Sequence, residues 1–118
     1  MCKFIKRRLI NTITYSLAGL KSCWKTEEAF RIEICVAPIL IISALLLKCY
    51  AIKKVLLISS VMLVLIIELV NTGLEKVIDI IMLNDKNILA KTVKDVGSAA
   101  VFFAIINLIF TWSLIIIF

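Results

Sequence analysis

The 118-residue chain has no histidine, one proline and three glycines. Without histidine there is no Cys/His zinc set and no Cys–His catalytic pair. The glycines, at 19, 73 and 97, build neither G-x-x-x-x-G-K-[ST] nor G-x-G-x-x-G, so the standard phosphate cradles are excluded; a Ser nucleophile elbow is also missing. The four cysteines, Cys2, Cys23, Cys35 and Cys49, contain no C-x-x-C pair and read as reduced bystanders. Acids are scarce, eight against fourteen Lys and Arg. The basic start MCKFIKRRLI is followed by no long apolar core or small-residue cleavage site, so a removable signal peptide is not expected.

Apolar residues dominate instead. They make up 63% of the chain, with mean hydropathy +1.11, more than a soluble domain of this size could hide from water. The expected fold is an all-α membrane protein in one domain, residues 1–118. It has an amphipathic surface helix over about 5–26 and three spans over about 32–48, 54–72 with a cytoplasmic extension to about 82, and 96–118. A site built from three short spans would be thinly walled, so association of several copies is expected.

In the first helix Leu9, Ile13, Leu17, Leu20 and Trp24 recur at helical steps, while Lys3, Lys6, Arg7, Arg8, Asn11, Lys21 and Lys25 form the polar face. This pattern fits a helix lying in the interface, its cations toward anionic head groups. Thr26 is placed to cap the next helix, with Glu27 and Glu28 in the first turn and Glu27 spaced to pair with Arg31. Glu33 stands at the edge of the first apolar run, where a carboxylate is costly unless paired. Pro38 falls early in that span and would kink or loosen it. In the third span Gly97, Ala100, Ala104, Asn107 and Thr111 form a small-residue stripe suited to close helix packing.

The most informative stretch is VLLISSVMLVLIIELVNTGLEKVIDII, residues 55–81. Glu68, Asn71, Glu75 and Asp79 follow at steps of three, four and four, which puts them on one narrow helix face. Basic residues set the orientation. Seven precede the first span and four (Lys76, Lys86, Lys91, Lys94) lie between spans two and three, against three (Lys48, Lys53, Lys54) on the other side. The amino terminus and the acidic face are therefore expected in the cytoplasm and the carboxyl terminus outside.

Glu27 and Glu75 with Asn71 are hard oxygen donors suited to Mg²⁺ carrying nucleotide phosphates, and Lys94 supplies a cation for phosphate oxygens. Glu68, deeper in the apolar region, is placed to act as a general base on an alcohol. Phosphoryl transfer asks mainly for positioning and charge neutralisation, which such a set provides. Intramembrane carboxylates also mark proton or cation pathways, so a small transporter subunit stays open at this point, as does a structural membrane protein.

The run LLISSVMLVLIIELVNTGLEKVID, with EEAFRIE before it and AKTVKDVGSAAV after it, resembles the small prokaryotic diacylglycerol kinase family over residues 15–112. The resemblance implies a homotrimer of three-span subunits with active sites shared between neighbours at the cytoplasmic surface. It implies transfer of the γ-phosphate of MgATP to diacylglycerol, giving phosphatidate, with Mg²⁺ and ATP required and no nucleic acid. It assigns catalysis to Glu68 and Asn71 and the metal to Glu27 and Glu75. The nucleotide would meet Arg8, Tyr15, Glu27, Glu75, Asp85, Lys86, Asn87, Lys94 and Asp95. The lipid would lie against Arg8, Lys21, Trp24, Arg31, Glu33, Lys54, Glu68, Ser98 and Trp112. An undecaprenol kinase of the same family is the alternative, and EEAFRIE with SSVMLV look more like the diacylglycerol branch.

Overall fold

The computed structural model describes residues 1–82 and 88–118, and these form four helices: α1 (Cys2–Thr26), α2 (Glu28–Leu46), α3 (Ala51–Ile81) and α4 (Ile88–Ile117). The last three are long and apolar enough to cross a membrane. At 1.5 Å per residue α3 is about 46 Å long, some 16 Å more than the hydrocarbon layer. Its carboxyl-terminal turns, with Glu75 and Asp79, therefore have length to stand clear of the apolar zone.

α3 is the central helix and packs against both α2 and α4. Its partners offer small or buried residues at a spacing of seven, Phe30, Ala37 and Ala44 on α2 and Ala90, Gly97 and Ala104 on α4. A seven-residue repeat keeps one side of a helix on its neighbour over several turns. The small side chains let the backbones come close. The polar residues Ser60, Glu68, Asn71 and Thr72 of α3 are buried, whereas Val36, Ile39, Ile66, Val70, Phe102 and Phe103 point outward. Polar groups inside and apolar groups outside is the arrangement suited to lipid as solvent.

Three local expectations are corrected. Thr26 does not cap α2: it ends α1, and its hydroxyl donates back to the Ser22 carbonyl at 2.9 Å. The junction is a single extended residue, Glu27 (φ −116°, ψ 110°), which holds the cap position of α2 without a side-chain capping bond. Glu27 and Arg31 are joined by a backbone hydrogen bond of 3.2 Å. Their side chains are absent from the ion pairs of the described residues, which are Lys91–Asp95 and Lys94–Asp79. The small-residue stripe of α4 is also narrower than its spacing predicts. Gly97 and Ala104 are buried, but Ala100 and Asn107 are exposed, because a step of three turns about 60° off the contact line. α2 continues through Pro38.

At the end of the bundle remote from Glu75, the Lys54 ammonium donates to the Leu45 carbonyl at 3.0 Å, satisfying a carbonyl of the last turn of α2. Trp112 Nε1 donates to Ser60 Oγ at 3.2 Å, and Ser60 in turn donates to the Leu57 carbonyl at 2.7 Å. These two contacts tie α2 and α4 to α3.

Candidate active site

Glu68 is 9% exposed and Asn71 8% exposed, the two buried members of the row Glu68, Asn71, Glu75 and Asp79 on α3. Asn71 Nδ2 donates to Glu75 Oε1 at 3.3 Å, one turn on. Its oxygen, Oδ1, is buried without a partner and lies against Gly97 of α4, so closely that a Cβ at position 97 would collide with it. Oε2 of Glu68 is likewise buried and unpartnered, as is Oε2 of Glu33.

Glu33, on α2, faces Glu68, each within reach of the other's charge. Glu75 and Glu27 also lie within reach of Glu68. Charge coupling thus links four carboxyl groups from the α1–α2 junction, α2 and α3. Glu27 is brought in by the tight junction, which is docked through Cys23, the one buried residue of α1. Burial pushes the Cys23 thiol above its ordinary value, Glu27 adds to this and Lys76 opposes it. Beside the acids, the Lys94 ammonium of α4 pairs with Asp79 Oδ1 at 2.8 Å and also feels Glu75. The next residue, Asp95, faces the other way and accepts from Lys91 at 3.0 Å.

Repulsion between adjacent carboxylates is relieved by a cation or by a shared proton, and the Glu33 and Glu68 carboxyls lie within hydrogen-bonding reach of each other. The hard oxygens of Glu27, Glu75 and Asn71 fit Mg²⁺ by chemistry. Among the described residues no three acidic, cysteine or histidine side chains close on one point. A metal bound here would rest on one or two carboxylates and be completed by phosphate oxygens and water.

Next to Glu33 an apolar groove of about 210 Å³ runs between α2, α3 and α4, walled by Ile32, Val36, Leu40, Val64, Leu65 and Ile105 among others. Among the described residues Glu33 is its one polar residue. An apolar slot with one carboxyl at its edge, that of Glu33, is shaped for a molecule with a hydrocarbon body and a polar end.

The remaining expected residues are dispersed. Arg8 and Tyr15 share a shallow recess on α1 with Phe4 and Thr12, on a stretch exposed throughout its first 20 residues. Lys21, Trp24, Arg31 and Ser98 are exposed. Lys54 is fourteen residues from Glu68 along α3, about 21 Å at helical rise, and Trp112 pairs with Ser60 two turns from Glu68. Neither joins the carboxyl cluster within this chain. Asp85, Lys86 and Asn87 lie outside the described residues. Two contributors were missed by sequence reading: Asp79 as the partner of Lys94, and Gly97 as the surface against which Asn71 rests. The helical step from Glu75 to Asp79 signalled the first; the second had no local signal.

Residues 14–116 match the family model described as prokaryotic diacylglycerol kinase. The chain belongs to that family. Its relatives include the diacylglycerol kinase of Escherichia coli (strain K12), 43% identical over 108 residues, covering 92% of this chain and 88% of the relative. The diacylglycerol kinase of Haemophilus influenzae is 44% identical over 110 residues, covering 93% and 92%. That of Pseudomonas aeruginosa is 36% identical over 111 residues, covering 94% and 89%. The alignments span nearly the whole of each chain, so the family's lipid kinase assignment applies to the full bundle and not to a fragment of it.

Proposed function

We propose that the protein is an ATP-dependent diacylglycerol kinase that works as a homotrimer at the cytoplasmic surface of the bacterial inner membrane, with the amino terminus inside and the carboxyl terminus outside. The observation that carries this reading is the buried Glu68, coupled in charge to Glu27, Glu33 and Glu75, with Glu33 lining an apolar groove, in a chain of this family.

The acyl chains of diacylglycerol lie along the groove and leave the free hydroxyl at Glu68. Glu68 accepts the hydroxyl proton as the oxygen attacks the γ-phosphorus of ATP; the new P–O bond forms as the bond to the β-phosphate oxygen breaks, giving phosphatidate and ADP. Glu27 and Glu75, the latter oriented by Asn71, would hold Mg²⁺, which would supply neutralisation of phosphate charge. Lys94 leaves Asp79 to meet a phosphate oxygen. Arg8 and Tyr15 of α1 close over the nucleotide. Water is kept from the reacting hydroxyl by the apolar walls around Glu33 and Glu68.

The test is transfer of labelled phosphate from ATP in mixed micelles containing Mg²⁺, with diacylglycerol and undecaprenol offered separately. Labelled phosphatidate is expected from diacylglycerol. Product from undecaprenol alone would move the acceptor to the polyprenol, and no product from either would reject the kinase reading.

A further inference from the structure

Gly97 is the point at which α4 meets the polar face of α3. It is buried, its φ is ordinary for a helix, and nothing about the backbone there requires glycine. What requires it is the Asn71 carboxamide, whose Oδ1 and Cγ occupy the space that a side chain at 97 would fill. The same carboxamide is 8% exposed and donates through Nδ2 to Glu75 Oε1. With Oδ1 lacking any hydrogen-bond partner, the amide is held on one side by its bond to Glu75 and on the other by packing against Gly97. Gly19 and Gly73 differ, since a Cβ at either would meet open space.

We infer that Gly97 is a positioning residue for phosphoryl transfer: its bare backbone seats the Asn71 amide, which in turn fixes the Glu75 carboxylate that receives the metal-bound nucleotide. This deepens the proposed function and rests on its assignment of Glu75. The atom that would be struck is the end of a side chain and not backbone, so an added methyl is relieved by swinging the Asn71 amide. The helices stay packed, and the hydrogen bond to Glu75 is lost.

The experiment compares wild type, Gly97→Ala, Asn71→Ala and the double variant in the full chain, reading Mn²⁺·ATP binding by the electron spin resonance of the metal together with steady-state transfer. Gly97→Ala is expected to weaken Mn²⁺·ATP binding about tenfold, as loss of the group orienting a ligand usually does, and to leave the KM for diacylglycerol and the unfolding midpoint near wild type. Because Gly97 acts through Asn71, the double variant should bind no more weakly than Asn71→Ala alone. Additive losses in the double variant, or wild-type binding by Gly97→Ala, would overturn the inference while leaving the kinase reading intact. Should Gly97→Ala fail to fold, the double variant, with the clash removed, still has to match Asn71→Ala; a weaker double variant overturns the inference. A wild-type chain that neither binds Mn²⁺·ATP nor transfers phosphate would remove the underlying function itself, and the inference with it.

Discussion

Lys94 Nζ lies 2.8 Å from Asp79 Oδ1, joining the last turns of α3 to the beginning of α4. Both side chains are substantially exposed, at 40% and 65%, so water and salt weaken the pair. A pair of this kind holds a cation in place and yet releases it to a more highly charged partner. A nucleotide phosphate is such a partner. Asp79→Asn therefore removes a competitor for Lys94, and the KM for MgATP is expected to fall about two- to fivefold, the range of an exposed ion pair. Lys94→Ala should raise the same KM and leave that for diacylglycerol near wild type. Steady-state kinetics with each substrate varied in turn checks both outcomes; a higher nucleotide KM in Asp79→Asn would show that Asp79 orients Lys94 and does not compete for it.

Glu68→Gln keeps the volume and one carbonyl oxygen but removes the carboxylate proposed to accept the proton. The expected loss in kcat is about a hundredfold or more, the usual contribution of a positioned general base. Stability should not fall, because burying a neutral amide costs less than burying a carboxylate with an unpartnered oxygen. Transfer assays and unfolding in detergent, run on the same preparation, check the pair of outcomes. Retained turnover would move the proton to Glu33, the carboxyl facing it.

Much of this arrangement can be read from residue order, and the parts that cannot have physical reasons. Glu68, Asn71, Glu75 and Asp79 share a face because helical geometry alone puts them there, and three spans follow from apolar run length. Contacts between helices are different. Gly97 looks like one more small residue in a packing stripe until α4 is set against α3, at which point its neighbour is seen to be Asn71. Thr26 has the chemistry of a cap, but the turn at Glu27 is a single residue, and that leaves Thr26 inside α1 with its hydroxyl used on the preceding turn. Ala100 and Asn107 have stripe spacing on a straight helix, yet the contact follows a seven-residue repeat that passes them by. Glu33 against Glu68 joins residues 35 positions apart, a distance over which no local pattern reports.

The seven-residue repeats predict where the bundle is least forgiving. Ala44 is fully buried and Ala104 is 5% exposed, and each lies on a helix that packs against α3. Ala44→Leu and Ala104→Leu each add three carbons to a closed contact, and each should destabilise by about 1–3 kcal/mol, the cost of overpacking. Reversible unfolding in mixed micelles measures the change. Unaltered stability in both would mean that the helices separate easily at these points and that the small residues are not needed for close approach.

Trp112 gives the last test, because the structure engages it in a contact that competes with a lipid-facing role. Its Nε1 donates to Ser60 Oγ, a hydroxyl only 3% exposed that is also donating to Leu57. Trp112→Phe retains most of the ring area and removes the donor. Ser60 keeps its own bond to Leu57, so no buried donor is orphaned and the loss should be modest, about 0.5–1.5 kcal/mol in unfolding free energy. The contact is eight residues from Glu68 on α3, about 12 Å along the helix, and kcat should accordingly stay near wild type. The KM for diacylglycerol then separates the two roles: an unchanged value makes Trp112 a tie between α3 and α4, whereas a rise without loss of stability would place the indole against the acyl chains.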